Sequence, residues 1–371
     1  MKKKVLFLIF NLEKGGGAER VLIDQINNLD KEIFERSVCI LNSSIDADFF
    51  QSILIPAENK KVIHFNSFFS ISSWLKIILW MRKNNFDIVY SHLFFANLVG
   101  RVAGKISGVK RVIVVEHNVY LSRRYFQRLA NRILSSFSYK VVAVSESVKN
   151  YLIDREGINY NKISVVYNGV NLNKYIFDSE NRSVLRNNLK LSEDDFVVLS
   201  IGQVTLQKNY DLLVDIAHEV NKVLGEKIYF FIAGGDDGSL GDKLKTRINE
   251  FGLRDIVNFL GLRDDIPDLL SGADVFMMTS SWEGFGLALV EGMANGKPVL
   301  VNNISTLKEI VGQDGRYGLV ARDQKEFANF LVKLKKDKMF YEKYANLALR
   351  RSADFSLEEN IKQITKLFLE S

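Results

Sequence analysis

Short runs rich in Val, Ile, Leu and Phe alternate with helix-length segments along this chain, and they do so in two series. The first series is KVLFLIF, RSVCIL, KVIHF, DIVYS, RVIVVE and YKVVAVS; the second is DFVVLSIG, KIYFFIAGG, IVNFLG, DVFMMTS, KPVLVNN and GLVA. Strands that are apolar throughout must be covered on both faces, and strands separated by helices pair in parallel through crossovers. The pattern predicts an α/β protein of two Rossmann-like doubly wound domains facing a cleft. Length agrees, since 371 residues exceed what one core comfortably fills. The polar stretch NLNKYIFDSENRS marks the junction, giving a first domain at 1–175 and a second at 176–354. The closing segment 355–371, FSLEENIKQITKLFLES, is expected to form an amphipathic helix that packs back on the first domain.

Ligands of such sheets bind outside the carboxyl ends of the strands, here in the cleft. Glycines gather at those ends: Gly15 to Gly17, Gly202, Gly234, Gly235, Gly261, Gly284 and Gly286. The bulk numbers remove several classes. With 47% hydrophobic residues, 25% charged and three prolines, the chain is neither disordered nor low in complexity. Cys39, the only cysteine, excludes an internal disulfide and a cysteine metal cage and suits a reducing, cytoplasmic setting. The start, MKKKVLFLIF, lacks a cleavage site and reads as a first strand, and no apolar run approaches the about 18 residues of a spanning helix.

Charge is unevenly placed. Residues 1–175 carry 25 Lys/Arg against 14 Asp/Glu, a net +11, whereas the remainder is at −5. An anionic membrane or a phosphate-bearing substrate accounts for this, as does a cluster of solvated lysines. Its sharpest feature is NVYLSRRYFQRLANRILSSFSYK, where Arg124, Arg128 and Arg132 recur every fourth residue and Phe126, Leu129, Ile133 and Phe137 take another face. Residues 120–140 are thus a candidate peripheral membrane contact or an ordinary domain helix with a solvated basic face. ISSWLKIILWMRK, with Trp74 and Trp80, is a weaker candidate. Nucleic acid is not an expected partner, because no binding motif accompanies the charge.

Three loops carry chemistry. FNLEKGGGAERVL leaves the first strand and opens a helix, so Gly16 and Gly17 let backbone approach an anion; the spacing is not the dinucleotide GxGxxG. SIGQVTLQKNYDLL is the matching element of the second domain, with Lys208 as a point charge for a phosphate. SWEGFGLALVEG places Glu283 in a glycine-rich turn and Glu291 inside the helix that follows.

Read together with DIVYSHLFFANLVGRVAG, EHN, AVSES and VVYNGVN, these motifs resemble the retaining family-4 glycosyltransferases of the two-Rossmann-domain (GT-B) type, with their E-x7-E motif, over essentially the whole chain. The resemblance implies that Glu283 contacts hydroxyls of the donor sugar and Glu291 holds the nucleotide ribose. It implies that amides of Phe285, Gly286 and Leu287 bind the diphosphate, that Lys208 and Gln203 lie on the leaving-group side, and that His117 stands beside the reacting sugar. His92, also at a strand end, is assigned to the acceptor side or to orienting its neighbours. His64 and His218 default to structure or surface.

Two departures from the family pattern stand out, one at Gln203 and one at Ser305 and Thr306. Gln203 stands where an arginine is common, leaving Lys208 to carry more of the phosphate charge. Ser305 and Thr306 replace paired glycines, and their hydroxyls are candidates for direct donor contact.

The implied activity is retaining, metal-independent hexosyl transfer from a UDP- or GDP-linked sugar to an acceptor hydroxyl, in surface polysaccharide, lipid-linked glycan or glycoconjugate assembly. The donor would occupy the second domain and the acceptor the first, in the cytoplasm or on the inner face of the plasma membrane. No cofactor beyond the nucleotide sugar is expected. Asp236 and Asp237 are adjacent rather than spaced as D-x-D, and four histidines form no ligand cluster. The rivals are a nucleotide-sugar epimerase or hydrolase and a non-catalytic glycan-assembly subunit.

Overall fold

A computed structural model describes residues 2–42, 44–67, 69–236 and 238–370. It divides into two compact units, one running through Gly169 and resuming at Leu357, the other Val170–Ser356.

The first unit holds a seven-stranded sheet: β1 (Lys3–Ile9), β2 (Phe34–Ile40), β3 (Lys60–Val62), β4 (Ile88–His92), β5 (Arg111–Glu116), β6 (Lys140–Ala143) and β7 (Ile163–Val165), in the order β3-β2-β1-β4-β5-β6-β7. Neighbouring strands pair in parallel throughout, with Lys3 opposite Phe34 and His92 opposite Val115. Val5, Leu6, Phe7, Leu8 and Ile9 are all fully buried, as helices on both faces require. Order reverses between β1 and β4, so the loop after β1 and the end of β4 flank the switch point.

The second unit repeats the plan with β8 (Val197–Ile201), β9 (Tyr229–Ala233), β10 (Val257–Gly261), β11 (Val275–Met278), β12 (Val299–Asn302) and β13 (Leu319–Ala321), ordered β10-β9-β8-β11-β12-β13 and again parallel. Its switch point lies between β8 and β11, which brings the 202–209 loop beside the 279–286 loop.

The units part between Gly169 and Val170, ahead of the 175/176 boundary read from the sequence. Packing explains the difference. Tyr175 donates its hydroxyl to Glu291 Oε1 at 3.0 Å and accepts from Asn295 Nδ2 at 3.0 Å through its carbonyl, so the linker's start is fastened to the second unit. The last helix, Leu357–Leu369, begins two residues later than expected, since Ala353–Phe355 forms a separate 3₁₀ turn. It belongs to the first unit, where Phe368 meets the rings of Phe34 and Tyr90 at 5.8 and 5.0 Å and its carbonyl accepts from Arg111. Among the described residues, no helix is long and apolar enough to cross a membrane.

Candidate functional site

In the second unit both loops at the switch point are sewn to one carboxylate. Glu283 is only 6% exposed, and each of its oxygens is engaged. Lys208 Nζ lies 2.7 Å from Oε1, Ser280 Oγ donates to the same oxygen at 2.7 Å, and Gln207 Nε2 donates to Oε2 at 3.0 Å. The backbones are tied as well. Thr279 Oγ1 donates to Lys208 O at 2.9 Å and the Ser281 amide to Gln207 O at 2.8 Å. Gly202 makes room for this: a Cβ there would stand 2.5 Å from Lys208 Cε, so the lysine side chain folds over bare backbone toward Glu283.

The helix Leu287–Ala294 starts from Gly286, whose φ of 107° is a left-handed conformation that favours glycine. First-turn amides of a helix lack intrahelical acceptors and favour an anion, which is the property assigned to Phe285, Gly286 and Leu287. Phe285 is buried against the Phe355 ring at 5.5 Å, fixing the turn. Glu291 lies on the same helix, buried and held by Tyr175.

The two departures from the family pattern resolve differently. Gln203 is exposed on the loop that carries Lys208. Thr306 is buried, and its hydroxyl donates to the backbone carbonyl of Glu283 at 2.9 Å, so it braces the Glu283 turn rather than offering itself to a donor. Ser305, at the start of the next helix, is exposed.

In the first unit Gly16 precedes the helix Gly17–Asn28, and a Cβ on Gly16 would collide with the Glu19 carboxylate at 1.9 Å. Burial raises the pKa of Glu19, so an acid overlies the glycines read as an anion-binding loop. His92 and His117 end neighbouring strands and meet: Nδ1 of His92 is 2.9 Å from Nε2 of His117, with rings 5.1 Å apart and 27° from coplanar. His92 is fully buried and His117 partly exposed. Burial pushes His117 down to about 4 and His92 well below its ordinary value, with the nearness of His117 adding to the latter, so both rings are neutral at pH 7.

Sequence reading missed the buried ionic cluster below His117. Arg123 pairs at 2.7 Å with both Glu116 and Glu156, while Asn97 and Asn131 donate to Glu116 and Arg101 donates to Asn131 and Ser138. Gln207, Ser280 and Tyr175 were missed too, and Thr306 was read as a donor contact where it braces the Glu283 turn. Their roles appear only once separate loops are brought together, although Gln207 and Ser280 do sit beside or near Lys208 and Glu283 in sequence.

Asp236 accepts from the amides of Gly238 and Gly241 and lies 3.7 Å from Lys245, while Asp237 falls outside the described residues. No group of three or more His, Cys, Asp or Glu side chains gathers among the described residues.

Comparison with known proteins gives this geometry its class. The model for "Glycosyl transferases group 1" matches residues 181–351, and that for "Glycosyltransferase Family 4" matches residues 15–174. The Escherichia coli UDP-Gal:alpha-D-GlcNAc-diphosphoundecaprenol alpha-1,3-galactosyltransferase is 25% identical over 368 residues, covering 95% of this chain and 94% of its own. The Campylobacter jejuni N,N'-diacetylbacillosaminyl-diphospho-undecaprenol alpha-1,3-N-acetylgalactosaminyltransferase is 25% identical over 315 residues, 80% of each chain. The crystal structure of Anabaena HepE in complex with UDP and glucose superposes with a TM-score of 0.86 at 24% identity, over 98% of this chain and 99% of that one. The two parallel sheets are therefore those of a GT-B protein. The chain belongs to the family-4-type glycosyltransferases.

Proposed function

We propose that this glycosyltransferase moves a hexose from a UDP- or GDP-linked donor on the second unit to a hydroxyl of a lipid-linked glycan intermediate carried by the first, in polysaccharide assembly on the cytoplasmic face of the membrane. The observation that carries the reading is the 2.7 Å pair of Lys208 and Glu283 at the switch point of the second sheet. Carboxylates are strong acceptors for paired sugar hydroxyls, and an ammonium beside a helix start suits a diphosphate. The lipid-linked acceptor is supported by the names of the Escherichia coli and Campylobacter jejuni relatives, and the uridine nucleotide by the first of these and by the UDP found with HepE.

Transfer with retention then proceeds on one face of the sugar. The bond from C1 to the diphosphate oxygen breaks while the acceptor oxygen bonds to C1, and the acceptor's proton passes to the departing phosphate. Lys208 and the amides of Phe285, Gly286 and Leu287 neutralise that phosphate, with Gln203 as a neutral hydrogen-bonding neighbour and Glu291 on the ribose. Under this scheme no metal is needed. Gly16 and Gly17 are assigned to donor binding and His117 to the transfer step.

Thermal unfolding in the presence of UDP-, GDP- and ADP-sugars, with and without EDTA, tests the donor. A ligand at about 100 times its Kd adds roughly 2.7 kcal/mol, and the shift is expected for one nucleotide class and unchanged by EDTA. Transfer of labelled sugar to a lipid-linked acceptor is expected to follow. Release of free sugar alone would instead identify a hydrolase, and no nucleotide shift at saturation a non-catalytic subunit.

Membrane contact through 120–140 is part of the same reading. Phe126 is 77% exposed on the helix Tyr125–Leu134, with Tyr125 and Ile133 also exposed, and Ile71 is 74% exposed on the helix Ile71–Asn84. Residues 59–145 contain 14 Lys/Arg, of which Arg101 and Arg123 are buried, and only Asp87 and Glu116 as acids, of which Glu116 is fully buried. Such a surface complements anionic lipid. Flotation with phosphatidylglycerol vesicles is expected to carry the protein upward, and Arg128→Gln to weaken partitioning about fivefold, the equivalent of roughly 1 kcal/mol per basic residue. Equal binding to neutral phosphatidylcholine vesicles would sink the electrostatic part of the idea.

A further inference from the structure

The pair of histidines at the carboxyl ends of β4 and β5 has an asymmetry that the proposed transfer does not by itself explain. His92 is wholly buried, edge-on to the Tyr90 ring at 4.7 Å, and the chain leaves it through Leu93 at φ 70°, a left-handed value for a residue other than glycine. Such a backbone is strained and persists where the surroundings hold it in place. Here it starts the helix Phe94–Ile106 immediately after His92, so the imidazole stays at the strand end against His117.

A neutral imidazole carries one proton on one of its two nitrogens. Between His92 Nδ1 and His117 Nε2 only one proton can lie, which leaves two arrangements. If His117 Nε2–H donated, His92 would carry its own proton on Nε2. That atom is buried and has no hydrogen-bond partner among the described residues, so the arrangement would strand an N–H donor in the interior. If His92 Nδ1–H donates, the buried Nε2 is a bare lone pair, and orphaned acceptors are better tolerated than orphaned N–H groups.

We infer that His92 is a positioning residue that donates from Nδ1 to Nε2 of His117 and thereby fixes His117 as the Nδ1–H tautomer, a hydrogen-bond donor on the member of the pair that is not fully buried. The inference rests on the reading that His117 takes part in sugar transfer, and it adds the chemical form in which His117 does so: it donates to a substrate oxygen and does not act as a base. With both rings kept neutral by burial, the donor persists through the physiological pH range.

Two-bond ¹⁵N–¹H correlation spectra of the uniformly ¹⁵N-labelled full chain at pH 7 read the tautomer directly. The chain has four histidines, so a His117→Asn variant assigns the signals. The expected spectrum shows His117 with a protonated Nδ1 and a pyridine-like Nε2, and His92→Leu replaces that single form by a tautomer mixture. His117 protonated at Nε2 in the unsubstituted protein overturns the inference without any variant having to fold. So does an unchanged His117 signal in folded His92→Leu. Transfer assays separate this from the functional reading: full activity in His117→Asn removes His117 from the reaction while leaving the tautomer result standing.

Discussion

Glu283→Gln is expected to lower the rate of sugar transfer by about 10²–10³-fold, and Lys208→Ala by a similar factor, the scale of losing one preorganised charge at a reacting centre. The two side chains stand 2.7 Å apart, and each satisfies the other. Under the proposed roles, donor binding exchanges this contact, giving the carboxylate to sugar hydroxyls and the ammonium to the diphosphate. Glutamine keeps one acceptor oxygen for Lys208 and Ser280 but turns an NH₂ toward Gln207 Nε2, itself the donor to Oε2. The amide therefore binds the loop poorly and cannot offer charge. Initial rates with a saturating nucleotide sugar test both variants, and circular dichroism checks that they remain folded. Near-normal transfer by either folded variant would remove the pair from the active site.

The same loop shows what sequence reasoning can and cannot reach. Lys208 and Glu283 were legible because each lies between a strand and a helix, and strand ends at a switch point are where ligands bind. The twelve apolar runs correspond to strands for a related reason: a strand buried on both faces shows as an unbroken run. β7 escaped because Ile163–Val165 is three residues long and lies at the sheet edge, too short to stand out from its surroundings. KVIHF was longer as a run than as a strand, which stops at Val62. Tyr175 fell at the supposed boundary because its surroundings are polar, yet its ring is buried and its hydroxyl serves Glu291. Pairing across the 116 positions between those two residues leaves no local signature.

Arg123 is the sharpest case of that kind, and removing it is expected to be the most damaging single change to the first unit. In sequence it heads a basic run with Arg124, Arg128 and Arg132 and looks like a surface charge. Instead it is buried, 2.7 Å from Glu116 and 2.7 Å from Glu156, with its guanidinium 4.0 Å from the Tyr120 ring and 4.7 Å from that of Phe94. Burial raises Glu156's pKa even with Arg123 beside it, so desolvation there outweighs the attraction that offsets it. The second cation, Arg101, is lowered by burial to about 10 and still charged at pH 7, but among the described residues it hydrogen-bonds to Asn131 and Ser138 and not to the carboxylates themselves. Arg123→Ala would thus strand two buried acids. Breaking such a cluster costs about 3–5 kcal/mol. For a unit of this size the cost corresponds to a fall of roughly 6–20 °C in its unfolding temperature. Replacing the acids as well separates stranded charge from lost packing: Arg123→Met with Glu116→Gln and Glu156→Gln is expected to recover much of the loss, because no unpaired carboxylate remains. Calorimetry of the full chain decides it. A drop of under about 2 °C for Arg123→Ala would mean that the acids find other partners or take up protons, and a triple variant no better than Arg123→Ala would place the loss in the aromatic packing around the guanidinium.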